Sequence, residues 1–464
     1  MTHVPPEVRD RFTAHGQEHV MAGWDDLSPS DRAAFVEQLA GVDLGELEAL
    51  FQRRDEPYAI LPPRERIAPL PVEPVEATAA DRSCGEEALS RGAVAVLLVA
   101  GGQGTRLGLD KPKGMYPVGP VSRASLFQIH AEKVLALSRR YGKPVPFLVM
   151  TSPATHTDTE AYFYANQYFG LAPADVAFFQ QGAMPAVDLA TGRLLLERVG
   201  QLALSPNGHG GTLTALAKSG LLADMTARGV EHIFYFQVDN PLVKICDPGF
   251  VGRHVGRGAD ASSKVVFKEQ PEEKVGVLAL VDGKCGIIEY SDLPSQMAVE
   301  RSATGELVFR AGNPAIHLFS TEFLRRVTGH GGLAYHIARK KVPYYDVATG
   351  QQVTPAEVNA LKFELFIFDA LPMADRPLAV EIRREEEFAP LKNATGADSP
   401  ETVFQLMTRL HASWLERAGV AIPRTPSGDL EFPVEVSPLF ALSADECLGK
   451  VSPGLPITGP TYFR

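Results

Sequence analysis

Apolar positions change their period twice along this chain. Over residues 1–55 they recur at helical spacing, with Leu44, Leu47, Leu50 and Phe51 on one stripe. Ser28-Pro29-Ser30-Asp31 adds a helix-start signal, its proline standing where an N–H would have no partner. Pro57, Pro62, Pro63, Pro69, Pro71 and Pro74 then crowd residues 57–76, which excludes a regular helix or a central strand and predicts an extended strap. From about residue 92 the runs become continuously apolar. Residues 93–100, 146–151, 176–179 and 233–238 read as strands buried on both faces, and Ser125–Arg139 and Thr212–Ala227 read as helices between them. Alternating strand and helix predicts an α/β fold, a Rossmann-like mixed sheet with helices on both faces. The expected organisation is a helical N-terminal region with its proline-rich strap (1–80), a catalytic domain (81–405) and a small C-terminal domain (406–464).

Composition narrows the chemistry. The chain has 464 residues, 45% apolar, with a net charge of −11, which argues against a general nucleic-acid partner and makes any phosphate site a local concentration of cations and backbone N–H groups. Cys84, Cys246, Cys285 and Cys447 are too widely spaced for a metal motif or a disulfide framework and read as reduced thiols. No run is apolar enough to span a membrane and no signal peptide is evident, so a cytoplasmic location is expected.

In open α/β sheets, ligands bind outside the carboxyl ends of the strands, so the residues just beyond each strand matter most. The first strand runs into Gly101-Gly102-Gln103-Gly104-Thr105-Arg106-Leu107-Gly108 and then Lys111-Pro112-Lys113-Gly114. Clustered glycines admit close backbone approach and gather N–H groups into an anion nest, while Arg106 and Lys113 supply the positive charge a triphosphate needs. A dinucleotide fingerprint would require glycine where Leu107 stands, and a P-loop would require Ser or Thr after Gly-Lys. Neither pattern fits. Asp239, ending the run Phe236-Gln237-Val238-Asp239-Asn240, stands where a hard cation bridging phosphate oxygens would be held.

The segment Leu98–Gly108 with Pro112-Lys113-Gly114 resembles the nucleotide loop of the eukaryotic-type UDP-sugar pyrophosphorylases (UDPGP type 1), and within that family the acetylglucosamine-type enzymes. The resemblance implies a nucleotide-diphospho-sugar transferase type of fold and Mg²⁺ on Asp239. It implies nucleotide binding by Gly101, Gly102, Gly104, Gln181, Gly208 and His209, with Gln181 reading uracil. Asn207, Gly276, Glu289, Tyr290 and Asn313 are expected to contact the sugar, and Lys392, in Glu385-Glu-Glu-Phe-Ala-Pro-Leu-Lys392-Asn393, to reach the phosphates. By itself that acidic run would be a solvated face. Gly208-His209-Gly210 matches the glucose-type enzymes instead, whereas Asn313 and His317 match the acetylglucosamine type.

The implied reaction is in-line attack of a sugar 1-phosphate on UTP, giving a UDP-sugar and pyrophosphate. N-acetylglucosamine 1-phosphate is the first choice of sugar, and glucose 1-phosphate or broad specificity the alternative. Arg106, Lys113 and Lys392 are the expected catalytic residues. A dehydrogenase on the same architecture lacks its third glycine, and a non-catalytic UDP-sugar-binding protein would be expected to have lost Lys113 or Lys392.

Overall fold

In a computed structural model, residues 3–56, 61–329 and 332–464 are described; Pro57 of the proline-rich strap lies outside them. The chain forms two compact units, residues 1–61, 181–212 and 333–369 in one, and 62–180, 213–332 and 370–464 in the other.

The larger unit is built on a mixed sheet. Four strands, His232–Gln237, Val94–Val99, Phe147–Thr151 and Val176–Gln180, lie side by side and parallel, with Val94 opposite His232 and Val99 opposite Gln237. All six residues of Val94–Val99 are apolar, and Val94 to Leu98 are buried, as a central parallel strand requires. Beyond His232–Gln237 the sheet turns antiparallel through His317–Ser320 and Ala261–Phe267. Ile67–Pro69, in the proline-rich segment, pairs only along an edge, against Val277–Val281, where a proline's missing N–H is tolerated.

Helix Leu126–Tyr141 starts at Ser125, whose hydroxyl accepts from Gln128 N–H, and stops at Gly142, whose φ of +65° is left-handed. Helix Ala79–Ser90 opens on a capping box between Thr78 and Asp81. It crosses Pro248–Gly256 backbone to backbone, for a Cβ on Gly85 would stand 1.9 Å from the Pro248 carbonyl oxygen. The stretch predicted as one helix over Thr212–Ala227 is two, Gly211–Lys218 and Leu221–Ala227, broken at Gly220 with its φ of +80°. After helix Pro400–Arg417, the C-terminal residues bury Val434, Val436 and Cys447 against that helix's Ala412 and Leu415.

In the smaller unit, helices Pro6–Ala14, Pro29–Ala40 and Leu44–Gln52 bury Phe12, Phe35, Leu39 and Leu47 against Val187, Leu202 and Phe363. Short antiparallel strands supply that surface, including Ala360–Leu365 paired with Tyr335–Lys340.

Among the described residues, no helix is long and apolar enough to cross a membrane, and all four cysteines are free. Several histidines are buried in the larger unit. His130 Nε2 donates to the Val238 carbonyl at 3.0 Å, and His254 bridges Ser262 and His232. Burial holds His130 and His411 down to about 3 and His232 to about 4. These rings stay neutral in the folded chain but protonate near 6.5 when it unfolds. Stability is therefore complete above that pH and declines as pH falls from about 6.5 toward 3, by about 1.4 kcal/mol per buried ring at pH 5.5. Melting temperature should drop steadily from pH 7 to pH 5, with a shallower slope in His130→Gln.

Candidate functional site

The parallel register sends two chain segments off the sheet at one edge. Val94–Val99 leads into the glycine loop, and His232–Gln237 leads into Asp239. The loop is braced by its own backbone. Gly102 O accepts from Lys113 N–H (3.0 Å), Gly104 N–H donates to Lys111 O (2.8 Å), and Gly101 O accepts from the Ser152 hydroxyl (2.8 Å).

The loop glycines differ in what requires them. A Cβ on Gly104 would meet Leu109 Cβ at 2.9 Å, and one on Gly114 would meet the Phe127 ring at 2.2 Å. Gly102 is different. A Cβ there has nothing within 4 Å, and its φ is not left-handed. The protein's own packing gives no reason for glycine at 102.

Lys113 and Asp239 meet in the structure. Lys113 Nζ lies 3.7 Å from Asp239 Oδ2 and donates to the Leu391 carbonyl at 3.3 Å. Leu391 N–H in turn donates to Asp239 O (2.9 Å), so the segment ending in Lys392 is tied to the strand edge. Asn240 completes the tie. Its Nδ2 donates to Glu387 O (2.7 Å), while its Oδ1 accepts from Ala389 N–H (3.1 Å) and Leu242 N–H (3.2 Å). His130 holds Val238 from beneath. Lys392 is exposed, and Arg106 sits exposed on the short turn Thr105–Leu107, in no ion pair among the described residues.

Asp398 and Asn240 were not singled out by sequence reasoning. Asp398 O accepts from both Lys392 N–H (2.7 Å) and Asn393 N–H (3.0 Å), and its backbone is left-handed with φ +55°. Burial pushes its carboxyl up, Lys392 pulls it down and Asp239 pushes it up. The only signal in the sequence was Asp398-Ser399-Pro400, which reads as a helix start.

The acidic run is not a solvated face. Glu387 is buried, 2.5 Å from Lys264 Nζ, and Glu386 pairs with Lys244. Glu273 likewise has a local duty, accepting from Glu269 and Gln270 N–H groups and from Arg384.

Gly276, Glu289 and Asn313 also lie together. Gly276 O accepts from Asn313 N–H (2.9 Å), and a Cβ on Gly276 would stand 3.2 Å from Glu289 Oε1. Asn313 is buried; its Oδ1 takes Ala315 N–H, leaving Nδ2 without a hydrogen-bond partner among the described residues. Tyr290 beside them is 50% exposed. His317 is a core residue, bonded to Ser263 and stacked on Phe319.

The smaller unit carries Gln181, Asn207, Gly208 and His209. Gln181 and Asn207 are buried. The Asn207 carboxamide is wedged between two glycines, since a Cβ on Gly211 would meet its Oδ1 at 2.1 Å and one on Gly182 its Nδ2 at 2.8 Å. Gly208, with φ +83°, lies against Leu365, and Asn207 O accepts from Leu365 N–H at 2.7 Å. His209 stacks on Phe366 and tilts against Phe368, and its Nδ1 accepts from Ile367 N–H at 3.3 Å. That bond puts the ring hydrogen on Nε2. Burial holds the ring neutral, at about 4.

The model of the UTP–glucose-1-phosphate uridylyltransferase family matches residues 63–423. The human UDP-N-acetylhexosamine pyrophosphorylase-like protein 1 is 40% identical, the alignment covering 95% of this chain and 93% of that protein. The UDP-N-acetylglucosamine pyrophosphorylase of Saccharomyces cerevisiae is 36% identical over 90% of this chain and 92% of its own length. The solved uridine diphosphate N-acetylglucosamine pyrophosphorylase of Trypanosoma brucei superposes with a TM-score of 0.83 at 27% identity, covering 99% of both chains. With a family model spanning most of its length and relatives matched nearly end to end, this chain belongs to the UTP–glucose-1-phosphate uridylyltransferase family.

Proposed function

We propose that the protein is a uridylyltransferase that joins UTP to N-acetylglucosamine 1-phosphate, releasing pyrophosphate. The observation that carries this reading is the meeting of Lys113 with Asp239 and the Leu391 carbonyl beside a glycine loop whose Gly102 the fold itself does not need. The acetylated sugar rests on its similarity to the acetylglucosamine and acetylhexosamine pyrophosphorylases and on Asn313, whose buried, unpartnered Nδ2 suits a sugar or acyl oxygen. Gly208-His209-Gly210 carries less weight toward glucose, because His209 is engaged in packing against Phe366 and Phe368.

The attacking phosphate oxygen is already anionic, so no general base is needed and catalysis reduces to positioning and neutralising charge. Within the larger unit Gly101 and Gly102 cradle the triphosphate through backbone N–H groups, while Gly104, whose N–H is bonded to Lys111 O, shapes the loop. In the smaller unit Gln181 and Gly208, with His209 Nε2–H as a further donor, suit uridine. Lys113 neutralises the phosphates, Arg106 comes from the exposed turn to the leaving pyrophosphate, and Lys392 steadies the attacking group. Gly276, Glu289, Tyr290 and Asn313, all in the larger unit, orient the sugar.

The donor set fits Mg²⁺. Asp239 offers hard carboxylate oxygens beside Asp398, whose proton affinity its charge raises, and Mg²⁺ is ordinarily held by one or two carboxylates plus substrate phosphates. Asp239 would hold the ion, which supplies charge neutralisation on the triphosphate.

Pyrophosphate release with UTP, Mg²⁺ and a panel of sugar 1-phosphates tests the reading. Activity with N-acetylglucosamine 1-phosphate is expected; activity with glucose 1-phosphate alone overturns the sugar, and none with any sugar overturns the reaction. EDTA should abolish release and added Mg²⁺ restore it. Lys113→Ala should lower kcat about 10²-fold, the scale of one preorganised contact. Gly102→Ala should melt within about 1 °C of the parent yet raise the KM for UTP, whereas Gly104→Ala should cost about 1–3 kcal/mol of stability through overpacking.

A further inference from the structure

Among the C-terminal residues, one carboxylate is sent the opposite way from its neighbours. Val434–Val436 pairs in parallel with Thr461–Phe463, and Val434 and Val436 are buried in the core that holds Ala412 and Leu415. Successive side chains of a strand point to opposite faces, so Glu435 leaves that core and meets the turn at residues 119–124 of the same unit. It is buried there, at 3% exposure. Its Oε2 accepts from Val121 N–H (2.7 Å) and Ser122 N–H (2.6 Å), and its Oε1 accepts from the Ser122 hydroxyl (2.7 Å). All three donors belong to one turn and none carries a charge, so the contact is a tether of defined geometry.

The fit is steric as well. A Cβ on Gly119 would stand 2.3 Å from Ser122 Oγ and 2.9 Å from Glu435 Oε1, and Ser122 Oγ also accepts from Ala124 N–H at 3.0 Å. Arg123, in the same turn, has a left-handed φ of +59°. A residue with a side chain holds that conformation only where surrounding contacts over-determine it, and the Glu435 bonds on its neighbour Ser122 are such contacts.

The tethered turn is the closed end of a hairpin whose open end carries Lys113. Val118 N–H and Gly119 N–H both donate to Ala124 O (2.9 and 3.0 Å), Leu126 N–H donates to Tyr116 O (3.1 Å), and Tyr116 N–H donates to Lys113 O (2.9 Å). The Lys113 backbone is thus held on two sides. Gly102 O accepts its N–H on the loop side, and its own carbonyl is tied into the hairpin. Releasing the closed end leaves only the loop side to fix where the ammonium stands against Asp239.

We propose that Glu435 is a positioning residue for nucleotidyl transfer: through it the C-terminal residues hold the hairpin over residues 116–126, and with it the Lys113 ammonium, at the candidate catalytic edge. The inference rests on the proposed uridylyltransferase activity.

A cycle of variants in the full chain tests it. Glu435→Ala should lower kcat for pyrophosphate release about tenfold or more, since a misplacement of about 1 Å can cost 10²-fold. The same substitution made in Lys113→Ala should change kcat less than about twofold, because the group it positions is already gone. A contact that only stabilises the fold would cost the same in both backgrounds. Ser122→Ala, which removes one of the three donors, should follow the same pattern with a smaller loss, and it decides the question where thermal melts show Glu435→Ala unfolded. Amide hydrogen exchange gives a readout independent of turnover. In the folded variants Tyr116, Val118 and Gly119 should exchange roughly tenfold faster, with Val94–Val99 unchanged. Equal losses of kcat in the two backgrounds, no loss of kcat, or unchanged exchange at those three amides overturns the proposal. A parent chain inactive with every sugar 1-phosphate overturns the uridylyltransferase reading and the catalytic role with it, while exchange still decides the tether.

Discussion

The parallel, in-register pairing of Val94–Val99 with His232–Gln237 is the constraint on which the candidate site depends. Because the two strands run the same way and end level, the glycine loop and Asp239 emerge from one edge of the sheet. Lys113, reached through the braced loop, then falls within 3.7 Å of Asp239 without any long-range steering of its own. A parallel strand in the middle of a sheet is buried on both faces, so its apolar side chains hold the register against slippage. The catalytic geometry inherits the stability of the core beneath it.

That edge is reinforced from three sides by polar groups that are themselves buried. His130 bonds the carbonyl before Asp239, Asn240 bonds two backbone groups of the 387–389 segment and the Leu242 N–H, and Leu391 N–H closes on Asp239 O. Side chains whose hydrogen bonds all go to backbone are costly to replace, because the freed backbone groups have no water to turn to. The Lys264–Glu387 pair has the same character. Removing one partner would leave a buried charge, while the pair itself adds little net stability. Its value is to fix where the segment leading to Lys392 crosses the strand edge.

A chain with a net charge of −11 must concentrate its cations where phosphate is to bind. Lys113 is held in place by a carboxylate and a carbonyl, so it is oriented before any phosphate arrives. The ion pair is weak at this distance and partly exposed, and a triphosphate would compete with it easily. Lys133 is the contrasting case, a cation that donates to the carbonyls of Pro241 and Val243.

The parallel strands, the glycine loop, the helix start at Ser28 and the order of the motifs were legible in the amino-acid sequence, and the resemblance to UDP-sugar pyrophosphorylases came from the loop and the motifs. Each is a local property. A buried strand, a phosphate nest or a cap is written in residues a few positions apart. Other features could not be read that way. Glu387 looked like one member of a solvated acidic run until Lys264, far away in the chain, was brought beneath it. That Gly211 and Gly182 make room for the Asn207 carboxamide is likewise set only by the fold. Asn240 too depends on partners that are remote in sequence, Glu387 and Ala389. Burial, counter-charge and steric closeness are relations between distant residues, so no local pattern encodes them, and the folded chain had to bring those residues together first.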